Sequence, residues 1–114
     1  MAGVEAGLQN AVFQWEEGYK RVQAARSDPA RHRALGRVVT AVEDELRKRL
    51  GLRFTVAELA ALYRERGDLL TDLGMAAVSP AEDLTDVSAA SDAAFWLYMR
   101  EASDFAGGRP RARR

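Results

Sequence analysis

Few residues in this chain are of a type that does chemistry. His32 is the only histidine and stands between Arg31 and Arg33, whose charges would repel a divalent cation. A di-metal carboxylate bundle needs two Glu-x-x-His pairs on facing helices, and no such pair occurs. Asp28 lies four residues before His32 but is better placed as a helix cap. Without cysteine, disulfides, thiolate catalysis and sulfur-ligated metals are excluded together. The carboxylates Asp83, Asp86, Asp92 and Asp104 could meet a hard cation, yet they lack the spacing of a calcium loop and read as a solvated acidic face. Neither a Walker loop, a G-x-S-x-G elbow nor a glycine-rich dinucleotide fingerprint is present. The expectation is a non-catalytic protein with no cofactor and no bound metal; the alternative is an enzyme working with carboxylates alone or with a cation.

A second chemistry is suggested by TVAELAALY, Thr55 to Tyr63, which opens like the first helix of a DNA-binding helix-turn-helix. Arg64 stands where such a unit usually carries glycine. The segment that would read the bases, Gly67 to Met75, holds Asp68 and Asp72 and no basic residue, so it would repel a phosphate backbone. The phrase is therefore read as a capped structural helix. Nucleic-acid contact is reserved for the basic second helix and for Arg109, Arg111, Arg113 and Arg114, which could touch phosphates without reading sequence.

The elements that must carry these residues are all helical. Val4, Leu8, Ala11, Val12, Trp15, Tyr19 and Val22 recur at three- and four-residue steps and predict a helix over roughly 3–26. Asp28 and Pro29 then supply a cap and a first-turn proline, and Leu35, Val38, Val39, Val42, Leu46 and Leu50 make a second stripe over 29–50 that closes at Gly51. Its outer side offers Glu43/Arg47, Asp44/Lys48 and Glu45/Arg49 as acid-before-base pairs. Thr55 with Glu58 forms a capping box for a third helix, 55–73, whose part after Gly67 reads either as a continuation or as a separate turn. Ser79, Pro80 and Glu82 repeat the start signal for a fourth, 80–106, with one break near Thr85 or Asp86. The fold class is all-α: a small four-helix bundle forming one domain over 1–108, followed by a disordered basic tail, 109–114.

Lys+Arg and Asp+Glu both number 17, so no net field draws the molecule toward DNA or anionic lipid. No apolar run reaches the roughly 18–20 residues that span a bilayer, and the N-terminus lacks a secretory pattern. No membrane association is expected, and a cytoplasmic location is. The charge is segregated: the second helix, with Arg31, Arg33, Arg37, Arg47, Lys48 and Arg49, is basic, and the stretch from Glu82 to Asp104 is acidic, which would attract the two within one molecule or between two.

The fourth helix carries more apolar residues than one bundle face needs. Ala94, Phe95, Tyr98, Ala102 and Phe105 share a side, while Trp96 and Met99 widen the arc. Two readings follow: the helix is central and enclosed by the others, or Trp96 and Met99, with the off-stripe Phe13, form a contact patch for another protein or a second copy of this chain. The phrases RFTVAELAALY and DAAFWLYMREASDFAGG resemble recurring stretches in small uncharacterised helical proteins of high-GC Gram-positive bacteria. That resemblance covers most of residues 36 to 108 and implies a helical fold but no activity and no functional residue. The functional expectation is a cytoplasmic interaction or regulatory module that meets another protein or a second copy of itself through Phe13, Trp96 and Met99; a nucleic-acid-associated regulator is the first alternative.

Overall fold

The computed structural model describes residues 2–51, 54–81 and 86–106, and the side chains of these except 2–6 and 102–106. It is a four-helix all-α bundle: α1 (Ala2–Ala24), a short 3-10 turn (Ala25–Ser27), α2 (Pro29–Leu50), α3 (Val56–Ala76) and α4 (Val87–Ala106). Local signals place most of the ends. The Asp28 carboxylate accepts the Arg31 backbone N–H at 3.3 Å, with Pro29 opening α2. Gly51 closes α2 at φ 74°, a conformation that a side chain would strain, and its N–H reaches the Arg47 carbonyl at 2.8 Å. The capping box of α3 is complete: Thr55 Oγ1 accepts from the Glu58 N–H at 3.0 Å, and Glu58 Oε1 accepts from the Thr55 N–H at 2.8 Å.

Two boundaries differ from the periodic reading. α3 runs on to Ala76, interrupted only at Arg66 (φ −130°, ψ 21°), one residue before Gly67. A single non-helical residue bends the helix; it does not make the turn that sets two helices of a DNA-reading unit across one another. Regular helix resumes at Val87, not at Pro80. Ser79 Oγ accepts the Ala81 N–H at 3.3 Å, closing a tight turn instead of capping a helix. The helix starts where Asp86 is fixed from outside, its carboxylate held by Arg31 at 2.9 Å and its carbonyl accepting the Ala90 N–H at 3.0 Å.

α4 is the central element and packs against each of the other three. Val87, Ala90, Ala94 and Tyr98 are buried on one side, Ala89 and Ala93 on another, and Phe95 and Met99 on a third. Its alanines let α1 come close: a Cβ on Gly18 would lie 2.4 Å from the Ala89 carbonyl oxygen. Trp15, wholly buried, stacks on Phe95 at 5.8 Å, and Tyr63 stands edge-on to both rings. Gly74 admits Val38 of α2 in the same way, a Cβ there falling 2.6 Å from Val38 Cγ1. Ser91, buried opposite Gly74, has no hydrogen-bond partner for its hydroxyl among the described residues.

The segregated charge is used within the molecule. Arg31–Asp86 and Arg47–Glu101 (3.9 Å) tie basic α2 to acidic α4, and the Arg47 guanidinium also sits 5.6 Å from the centre of the Tyr98 ring. Of the three expected pairs along α2, Glu45–Arg49 forms at 2.7 Å; Arg47 turns instead toward Asp44 (3.8 Å) and Glu101. His32 Nδ1 lies 3.1 Å from the Val22 carbonyl oxygen, so it acts as the donor and joins α2 to α1.

Candidate functional site

The three residues expected to form a contact patch do not share one exposed surface. Met99 is only 9% exposed and belongs to the core, because α4 is enclosed on three sides and the position that looked surplus on one face faces a neighbour. Trp96 is half-buried: Tyr19 covers its ring at 4.6 Å, and the Arg100 guanidinium lies 4.9 Å from its centre. Phe13 is 59% exposed, about half a turn around α1 from the buried Trp15, so it points away from the bundle. Trp96 is thus covered from α1 and Met99 is enclosed in the core, and Phe13 is a single exposed apolar side chain of the kind surfaces commonly carry. Arg109, Arg111, Arg113 and Arg114 lie outside the described residues.

The most chemically distinctive pair joins α3 to α4. The Tyr63 hydroxyl donates to Asp92 Oδ1 at 2.5 Å. Burial pushes the Asp92 carboxyl above its ordinary range, against the opposing pull of the Tyr63 hydrogen bond and the Arg21 charge. Tyr63 is pushed well up as well, first by burial, then by its hydrogen bond to Asp92 and by that group's charge. Polar clefts of about 300 and 190 Å³ flank the pair, one bordered by Tyr63 and Asp68, the other by Arg21 and Asp92, with Ser88 bordering both. A phenol held this firmly protonated is no nucleophile near neutral pH, and its one hydrogen bond is already made. The pair is best suited to fastening α3 against α4. Among the described residues no group of three or more His, Cys, Asp or Glu side chains could hold a metal ion.

A third feature lies on the outer face of α2. Arg33, Gly36, Arg37, Thr40, Ala41 and Asp44 line an open groove of about 680 Å³, bordered by Ala77 beyond the end of α3. These positions follow one another at three- and four-residue steps and stand opposite the stripe of Leu35, Val38, Val42 and Leu46 that faces the core. The floor is low because Gly36, Thr40 and Ala41 have little or no side chain. Gly36 has no packing reason for this within the protomer. A Cβ there would meet nothing within 4 Å, whereas Gly18 and Gly74 are both required by close neighbours. A glycine in a helix interior costs about 0.5–1 kcal/mol relative to alanine. Gly7 is equally open but lines none of these clefts. Met75, two residues before Ala77, is 49% exposed.

Sequence reasoning missed this face because it searched for surplus aromatic area, and the groove is built from absent side chains. The available signal was Gly36 in the middle of a well-capped helix, away from any turn. Comparison with protein-family models, with curated proteins and with solved structures yields no match. Among the described residues, no helix is long and apolar enough to cross a membrane.

Proposed function

We propose that this chain is a non-catalytic interaction or regulatory module of the cytoplasm that docks another polypeptide on the outer face of α2. The observation that carries this reading is Gly36: a mid-helix glycine with open space above it, on the floor of an apolar groove edged by charged side chains. Its backbone cost is offset by nothing inside the protomer, and a small residue at that point lets a partner helix approach closely. Polar and charged rims around a low apolar floor are the usual anatomy of a protein contact surface. The cysteine-free composition suits a reducing compartment.

The test is a photoreactive amino acid at Thr40, irradiated in cells that make the chain. A discrete adduct that disappears when Gly36→Leu fills the groove supports docking there. Absence of any adduct, or one indifferent to Gly36→Leu, removes the reading.

A further inference from the structure

We propose that the occupant of the α2 groove is a second copy of this chain, laid antiparallel across a two-fold axis that passes between residues 38 and 39. The inference rests on the docking reading above and names its partner. The charges at the two ends of the groove are opposite: Arg33 at one, Asp44 at the other, with Gly36, Thr40 and Ala41 between. Eleven residues of helix separate the two charges by roughly 16 Å. An antiparallel copy centred on the small residues therefore sets each Arg33 opposite the other copy's Asp44, Gly36 against Ala41, and the Arg37 stem along Thr40. A parallel copy would set like charges together. An isologous contact of this kind needs a patch complementary to itself, and a face that is basic at its Arg33 and Arg37 end and acidic at Asp44, with small residues between, meets that condition.

Neither charge is fully occupied within the protomer. Among the described residues the Arg33 side chain makes no hydrogen bond or ion pair, and the Asp44 carboxylate has only a 3.8 Å contact with Arg47, Arg33 and Asp44 both being exposed. Arg31 and Arg47 by contrast are committed to Asp86 and Glu101 on α4. One face of one helix makes a small interface, below the roughly 1,200 Å² of stable complexes, so the pairing is reversible and depends on concentration.

The experiment is charge exchange, read by sedimentation velocity over a concentration series. Wild type should move toward twice the protomer mass as concentration rises. Arg33→Glu and Asp44→Arg, each alone, meet a like charge twice by symmetry and should weaken self-association by at least about tenfold. Mixing the two single variants, or combining both changes in one chain, restores opposite charges at both contacts and should restore the pair. A wild type that stays at protomer mass throughout, single variants that associate undiminished, or a mixture that fails to recover would each overturn the proposal. Circular dichroism on every variant separates loss of pairing from loss of fold; should a reversal unfold the chain, Arg33→Ala and Asp44→Ala replace it, each expected to weaken pairing, and no weakening overturns the proposal. Failure of self-pairing is distinct from failure of docking: protomer mass together with a Thr40 adduct of another mass removes the second copy and leaves the groove, whereas protomer mass with no adduct removes both.

Discussion

Gly36→Ala is expected to stabilise the protomer. Its helix has ordinary geometry at that point, Gly51 being the one glycine with positive φ among the described residues, and a methyl group there meets nothing within 4 Å. The substitution then gains about 0.5–1 kcal/mol, mostly by restricting the unfolded chain. With about 2.1 cal/mol/K of unfolding entropy per residue, a chain of 114 residues melts about 4 °C higher per kcal/mol, so Tm should rise by about 2–4 °C. The assay is thermal melting by circular dichroism at low concentration, where mass action from pairing does not enter. Gly18→Ala is the internal control. Its Cβ would stand 2.4 Å from the Ala89 oxygen and 2.6 Å from Asp92 Cβ, so α1 and α4 must separate, at a cost of about 1–3 kcal/mol that exceeds the gain in helix propensity. Two chemically identical changes in two helices should thus move Tm in opposite directions. If Gly36→Ala lowers Tm, or leaves it unmoved, the glycine serves the protomer itself and the reasoning that assigns it to a partner fails.

Asp92→Asn tests the α3–α4 fastening. The Asp92 carboxyl is raised because burial penalises its charge, so the folded chain holds that proton more tightly than the unfolded chain. The stabilisation is full below the unfolded value of about 3.9 and is lost as pH rises through the folded value. Glu43, raised first by burial too, adds in the same direction. The asparagine keeps an acceptor for the Tyr63 hydroxyl and does not titrate, so the Tm difference should shift in its favour from acid toward neutral pH; a difference independent of pH would refute burial as the cause. Met99→Ala should cost about 2–5 kcal/mol in denaturant titration while Phe13→Ser stays within about 0.5 kcal/mol, and comparable losses at both would contradict their placement. Ser91→Ala, which removes a buried hydroxyl without a described partner, should be neutral or stabilising by up to about 1 kcal/mol, and a clear loss would reveal a bond to that oxygen. On duplex DNA at about 50 mM salt the chain should show no salt-dependent retention, with or without residues 109–114; retention lost on truncation would favour the nucleic-acid alternative.

What the sequence made legible was what residues decide among near neighbours. Asp28–Pro29, Thr55–Glu58 and Gly51 each act within one turn of helix, and each cap is found where its residue types predict. Ser79–Pro80 carries the same residue types, yet Ser79 closes a turn with Ala81 and the helix waits for Asp86, whose position depends on Arg31, 55 residues away. Met99 was misplaced for a related reason: periodicity gives the width of an apolar arc but not how many helices enclose it. The glycines show the limit most plainly. Gly18, Gly36 and Gly74 are alike in sequence, and only the approach of α4 to the first and of Val38 to the third separates structural necessity from open space. Tyr63 and Asp92 lie 29 residues apart on different helices, so no local spacing links them.

The most direct measurement uses the absence of cysteine. With Thr40→Cys as the sole thiol, a bismaleimide spanning only about 8–10 Å, the separation of packed helices, should join two chains into a species of twice the protomer mass, and Phe13→Cys, on the far side of α1, should not. If the thiol at 40 stays unlinked under conditions where the one at 13 couples, or if neither couples, the outer face of α2 is not where two copies meet.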